Sequence, residues 1–286
     1  MIRTLPNTSG YKIGFNLFAG AYFLFLFAPL VMVCILAFND SMFPALPWYG
    51  FTLDWFIGKG PGKVGLFYNP LNMNAILTSL KVAFGVSLLS TFVGTCAAFL
   101  FDQEEFRFKK LFYLLMIAPM VVPGVILGIS TLSFVNSLGG LIERTIGIDL
   151  RILSPGLFLV MCGQSAFITT FVALVVIARL RKFDRTLEEA AYNLGATRFE
   201  VIWHITLKFL RPSIIGGAAV AFLLSFENFN TTLFLIGSKP TLPIALFAQI
   251  RDGGTPVVNA VSVLLMFGMS LVALGNLYLS RKNDGK

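Results

Sequence analysis

Arg179-Leu-Arg-Lys-Phe-Asp-Arg-Thr-Leu-Glu-Glu-Ala-Ala-Tyr-Asn-Leu-Gly-Ala-Thr-Arg-Phe-Glu-Val-Ile-Trp-His-Ile-Thr-Leu-Lys-Phe-Leu-Arg-Pro212 separates two long apolar runs and writes two helix starts. Thr186-x-x-Glu189 and Thr197-x-x-Glu200 both have the spacing of a capping box, in which a hydroxyl and a carboxylate satisfy free N–H groups of the first turn. After the first, Leu187, Ala190, Ala191 and Leu194 recur at helical spacing and make one stripe. Gly195 follows where a helix stop needs a left-handed residue. After the second, Phe199, Ile202, Trp203, Thr206, Phe209 and Leu210 make another stripe, and Pro212 is placed to open the next apolar run at its first turn. The reading is helix, glycine turn, helix. Ala190 and Ala191 leave the first helix small-sided, open to close approach by another body. Any short surface helix can contain a capping glutamate, two alanines and a glycine, so the weight lies in where this hairpin falls.

Outward from it the chain is apolar almost everywhere. Hydrophobic residues make up 56 % and charged residues 13 % of the 286, against about 25 % charged in a soluble domain. That balance excludes a disordered chain, a collagen and a disulfide scaffold, and argues against a soluble enzyme. Crossing ~30 Å of hydrocarbon takes roughly 20 apolar helical residues. Six runs are long enough, at 14–38, 75–101, 111–138, 157–178, 212–237 and 256–280, with 179–211 connecting the fourth and fifth. The first run exceeds the ~7–15-residue core of a signal peptide and no small-x-small site follows it, so it reads as an uncleaved span. Cys34, Cys96 and Cys162 lie inside apolar runs without CxxC spacing and read as small core residues. No internal repeat or low-complexity stretch divides the chain. The expectation is an all-α membrane protein with six transmembrane helices, a single domain over 1–286.

A net charge of +8 would suggest nucleic acid in a soluble protein. In a membrane protein the position of the excess reports topology instead. Arg3, Lys12, Arg107, Lys109, Lys110, the basic residues of 179–211, Arg281, Lys282 and Lys286 all fall on one side. Lys59, Lys63, Arg144, Arg151, Lys239 and Arg251 fall on the other. The first side, with both termini, is therefore expected to be cytoplasmic, and no nucleic-acid partner is implied. On the outer side Trp48, Tyr49 and Trp55 suit an interfacial aromatic belt, and Ser137–Pro155 has room for a short surface helix around Leu141–Ile146. Lys81, about 9 Å inside its span at ~1.5 Å per residue, can snorkel outward.

The fifth run carries Ser225-Phe226-Glu227-Asn228-Phe229-Asn230-Thr231-Thr232, a polar cluster in an apolar helix. Counted from Pro212 at ~1.5 Å per residue, Glu227 falls about 22 Å in, just past mid-membrane. A charged carboxylate costs at least ~3 kcal/mol there, so it should face a partner or water. Glu227, Asn230 and Thr231 share one helical face, with Asn228 and Thr232 beside it. Either they line a path that favours a cationic solute, or Glu227 pairs with an arginine or hydrogen-bonds at a subunit interface. Catalytic chemistry is missing from the sequence. No G-x4-G-K-[ST] loop occurs, His204 is the single histidine, and no metal or nucleophile constellation is visible.

Glu189-Ala190-Ala191-x3-Gly195-x9-Ile205-x-Leu207 resembles the EAA loop of permease subunits in bacterial type I ATP-binding-cassette importers. That motif ends Ile-x-Leu-Pro; here Lys208 stands in place of the proline, and Pro212 matches a second proline. The resemblance implies the MetI-like permease fold, with the first span wrapped around the other five. It implies that Glu189, Ala190, Ala191, Gly195, Ile205 and Leu207 belong to a coupling helix docking on a cytoplasmic ATPase dimer, Glu189 meeting a basic residue there. ATP and Mg would be used by that partner, with no catalytic residue, metal or cofactor on this chain. A second permease subunit, in a heterodimer, an external substrate-binding protein, and a place among the lipids of the bacterial inner membrane are implied too. Phe38-Asn39-Asp40-Ser41, Gly50-Phe51-Thr52-x2-Trp55-Phe56, Leu242-Pro243 and Pro256-x2-Asn259-Ala260 resemble the spermidine/putrescine branch, implying a polyamine as solute. Members of that branch carry acidic residues near the position of Glu227, and Asn228 is an amide where they often have a second carboxylate. The alternatives are another small organic solute or iron. A stand-alone secondary transporter or channel would need more ionisable groups in its spans than Lys81 and Glu227.

Overall fold

Backbone removed from water must bond to itself, and the apolar runs do so as helices. The computed structural model describes residues 9–60, 62–147 and 154–284; Arg3, Arg151 and Lys286, used above for orientation, lie outside them. In chain order come α1 (Ser9–Leu36), α2 (Asp54–Ile57), β1 (Lys59–Gly60), β2 (Lys63–Val64), α3 (Pro70–Gln103), α4 (Lys109–Val121), α5 (Gly124–Ile146), α6 (Leu157–Leu180), α7 (Thr186–Asn193), α8 (Arg198–Val201), α9 (Leu207–Phe226), α10 (Thr232–Leu235), α11 (Leu242–Arg251) and α12 (Val257–Asp284). A π turn over Ile202–Thr206 joins α8 to α9 without a break. Among the described residues, α1, α3, α5, α6 and the α8–α9 helix are long and apolar enough to cross a membrane, and α12 adds the shorter apolar stretch Val257–Leu271.

The expected span 111–138 is two helices. Pro123 has no N–H and drives Val122 into extended backbone (φ −75°, ψ 131°), so α4 stops at Val121 and α5 begins at Gly124. α5 then runs to Ile146, and the separate surface helix expected at Leu141–Ile146 is its last turns. The expected span 212–237 both starts and ends earlier. Its helix is already running at Arg198, which puts Pro212 inside it, and it stops at Phe226. Cys34 is half-buried, and Cys96 and Cys162 are exposed on the chain, contrary to the core reading. Lipid tails are as apolar as a protein core, so a membrane-facing thiol needs none.

The chain packs as two units. The first holds the residues up to Asn69 with Gln249–Gly268. Within it the apolar window of α1 is turned wholly outward. The loop after α1 is organised by Asn39, which is 1 % exposed. Its Nδ2 donates to the carbonyls of Ala45 and Pro47, and its Oδ1 accepts from the Tyr49 N–H at 2.8 Å. Trp55 Nε1 donates to the Asn39 carbonyl at 2.8 Å, which buries the indole. Trp55 therefore pins the loop and does not join the aromatic belt; Trp48 and Tyr49 are exposed. Phe38 stacks between Phe51 and Phe56, and Lys63 pairs with Asp40 and, at 3.6 Å, with Asp54. The part of the polyamine-branch resemblance carried by Phe38–Phe56 thus forms one knot.

The second unit holds Pro70–Ala248 and the chain from Met269. Its core is the contact of α3, α6 and α9, filled by Val82, Val86, Val160, Val172, Val176 and Leu210. Small hydroxyl side chains let these helices approach and bond across. Ser87 Oγ donates to the Ala218 carbonyl at 2.7 Å, and Thr170 Oγ1 of α6 to the Met116 carbonyl of the adjacent α4 at 2.5 Å.

Candidate functional site

The 179–211 hairpin forms as two helices, with one start differing from expectation. Asp184, not Thr186, caps α7: its Oδ1 accepts from the Thr186 N–H at 3.0 Å and from the Thr186 hydroxyl at 2.8 Å. These two donors hold the Asp184 carboxyl below its usual range. A short acidic side chain two residues upstream reaches the Thr186 N–H, a first-turn donor, and Glu189 makes no bond back to the helix start. The stop is as expected. Gly195 sits at φ +88°, with its N–H on the Tyr192 carbonyl at 2.9 Å, a backbone state costly for any residue with a Cβ. The second start is the reciprocal capping box of Thr197 and Glu200.

Glu189, Ala190, Gly195 and Leu194 are exposed and Ala191 is half-buried. Leu194 is 89 % exposed at the tip, where an apolar side chain gains nothing from water. The opposite side of the hairpin is tied down. Thr206 Oγ1 donates to Glu188 Oε1 at 2.5 Å. Asp102, at the end of α3, pairs with Arg185 at 3.0 Å and Arg181 at 4.0 Å, and Glu104 pairs with Arg198 at 2.5 Å. Ile205 packs on the core and Leu207 is half-buried, so these two support the hairpin from below. Sequence reading missed the clamp by Asp102 and Glu104; two acids at the end of a span, facing a run of arginines, were the available signal.

The polar cluster lies at a break between α9 and α10, not within a helix. Its residues part into two groups. Ser225, Thr231 and Thr232 are buried and Asn228 half-buried, whereas Glu227 and Asn230 are exposed. The shared face expected for Glu227, Asn230 and Thr231 does not exist, because the helix that would have made it ends at Phe226. Gln164 of α6, fully buried, holds the inward group: its Nε2 donates to Thr232 Oγ1 at 2.7 Å and its Oε1 accepts from Ser225 Oγ at 2.5 Å. Asn228 Oδ1 in turn accepts from the Thr232 hydroxyl at 2.9 Å and N–H at 3.2 Å. Gly128 of α5 admits this segment, since a Cβ there would lie 2.8 Å from the Thr231 carbonyl oxygen. Gln164 was also missed; as an amide in the fourth apolar run it had to find a buried partner. The outcome is a carboxylate and an amide, Glu227 and Asn230, held outward beside a fixed break.

The family model described as binding-protein-dependent transport system inner membrane component matches residues 90–284, which include both the hairpin and the break. The chain belongs to this family. The resemblance drawn from Glu189–Leu207 is thereby borne out, and with it a membrane-spanning permease of ABC importers. A relative of this permease, the putrescine transport system permease protein PotI of Escherichia coli (strain K12), is 32 % identical over 268 residues, 92 % of this chain and 89 % of its own. The spermidine/putrescine transport system permease protein PotC of Haemophilus influenzae is 26 % identical over 271 residues, 94 % and 97 % of the two chains. A chain in the crystal structure of a bacterial ABC transporter involved in import of the acidic polysaccharide alginate matches with a TM-score of 0.76 at 20 % identity, covering 95 % of both. A chain of the MetNI methionine ABC transporter matches with a TM-score of 0.53 at 15 % identity, over 75 % of this permease and 98 % of that chain. These last two establish the MetI-like fold alone.

Proposed function

We propose that this permease subunit moves a polyamine such as putrescine or spermidine across the bacterial inner membrane, driven by a partner ATPase dimer that binds and hydrolyses ATP with Mg. The hairpin and both termini face the cytoplasm in this reading, and the two packing units act as one permease domain. The observation that carries it is the hairpin: a small-sided helix, Thr186–Asn193, exposed at Glu189, Ala190 and Leu194 and clamped from behind by Asp102 and Glu104. An exposed leucine beside two alanines suits a partner's groove, and a clamp on the far side passes the partner's movement to the spans. Glu189 then meets a basic residue of the ATPase, and a second, related permease completes the path. An external binding protein delivers the solute. A stand-alone transporter would have no use for a projecting, clamped hairpin.

The solute assignment rests on PotI and PotC as relatives and on the outward Glu227 carboxylate, which favours a cation. Uptake of radiolabelled putrescine, spermidine, other small organic solutes and iron by the complete transporter tests it. Putrescine or spermidine should dominate, and Glu227→Gln should cut that uptake about tenfold, the equivalent of ~1.4 kcal/mol. Unchanged uptake would make Glu227 structural and remove the cation argument.

A further inference from the structure

We infer that the groove along the π turn and the start of α9 binds an anionic phospholipid. It is an open groove of about 620 Å³ lined by Trp203, His204, Leu207, Lys208, Arg211, Ile214 and Ile215. Lys208, Arg211 and Ile215 follow one another at i, i+3 and i+7, so two cations and an apolar side chain run along one helical face. Both cations are exposed, and among the described residues no carboxylate pairs with either. Arg181, Arg185 and Arg198 behave differently, each facing an acid of the α3 end, and Arg179 lies over the Phe209 ring at 4.2 Å. The nearest acid on the same helix, Glu200, is taken up by Thr197. Like charges one turn apart repel, and an anion lying between them removes that cost.

The position selects the anion. From Pro212 to Phe226 no side chain is ionisable, so Lys208 and Arg211 are the last charges before the apolar part of this span. That is headgroup depth, where basic side chains next to a span attract anionic lipid phosphates. Trp203, 60 % exposed, stacks on the exposed ring of Phe199 at 6.1 Å, and such amphipathic rings settle at the same depth. Ile214 and Ile215 then continue as an apolar wall toward the membrane interior. A free phosphate would use the two cations alone; the wall commits the site to a lipid. The bound lipid would brace the root of the hairpin. This does not depend on which solute is carried.

Native mass spectrometry of the intact transporter, delipidated and titrated with phosphatidylglycerol, tests the assignment. Phosphatidylglycerol should bind at least tenfold more tightly than phosphatidylcholine, and millimolar glycerol 3-phosphate should not displace it. Lys208→Gln with Arg211→Gln should weaken binding tenfold or more, and Lys208→Arg should preserve it. A photo-crosslinker at Ile215 in the otherwise native chain should capture phosphatidylglycerol from 3:1 phosphatidylcholine–phosphatidylglycerol vesicles. Equal binding of both lipids, full displacement by glycerol 3-phosphate, undiminished binding by the double variant, or capture of a protein subunit at Ile215 would each overturn it.

Discussion

The 179–211 hairpin and the break at 225–235 are both polar interruptions of an apolar chain, and they are built by opposite means. The hairpin's shape comes from bonds between close neighbours: Asp184 with Thr186, Tyr192 with Gly195, Thr197 with Glu200. The break is held from 61 and 68 residues away, by Gln164 on Ser225 and Thr232. The tip of the hairpin, which projects into water, has no core to lean on, so its own residues must specify its turns. An interruption inside hydrocarbon has no water to satisfy its freed groups, so another helix must supply the partners.

The largest expected effect attacks the break. Gln164→Leu removes both long-range bonds, at ~1–3 kcal/mol for each buried partner left unsatisfied, and should lower the stability of the purified transporter by about 2–4 kcal/mol. Thermal unfolding in detergent reads this out; an unmoved Tm would mean that close packing at Gly128 suffices to hold the segment. Next comes the hairpin turn. Gly195→Val forces a β-branched residue into the left-handed region at about 1–3 kcal/mol of local strain. Overall Tm should change little, because the tip packs on nothing, while association with the ATPase and stimulated hydrolysis are lost. Normal stimulation in that variant would dissociate the turn from docking.

The smallest effect belongs to the Asp184 cap. A carboxyl whose folded value is lowered lends stability above the ordinary carboxylate range and loses it as pH falls through the lowered value. Protection of the Thr186 amide, taken relative to its intrinsic exchange rate, should therefore fall as the pH drops below about 4. In Asp184→Asn, which keeps an acceptor but no titration, that loss of protection should vanish.

The contrast between the two regions also explains what the sequence made legible. Gly195, the Thr197–Glu200 box and the exposed Ala190 were readable because each rule spans a few residues. Choosing Thr186 as the cap was an error within the same rule: Asp184 offered a competing acceptor two residues earlier. The end of α9 at Phe226 was not readable, because apolar periodicity continues through Leu235 and the reason to stop lies in Gln164 and Gly128. Pro123 was readable and was overlooked, since an apolar run invites counting length before punctuation. Trp55 misled for the opposite reason: an aromatic residue in an outer loop suits an interfacial belt by composition, and only the Asn39 carbonyl shows it buried.

In the proposed coupling role, the clamp at the end of α3 is where the hairpin drives the span. α3 has 34 residues, which at ~1.5 Å each gives a rod of about 50 Å, longer than the ~30 Å of hydrocarbon around it. A displacement of the α7 tip is thus applied to the end of a long lever, and a small stroke there becomes a tilt along the rod's full length. The fastening itself is ionic and largely open to solvent on its arginine side, so salt loosens it. Raising ionic strength should let the drive slip like a clutch, spending ATP without moving the rod.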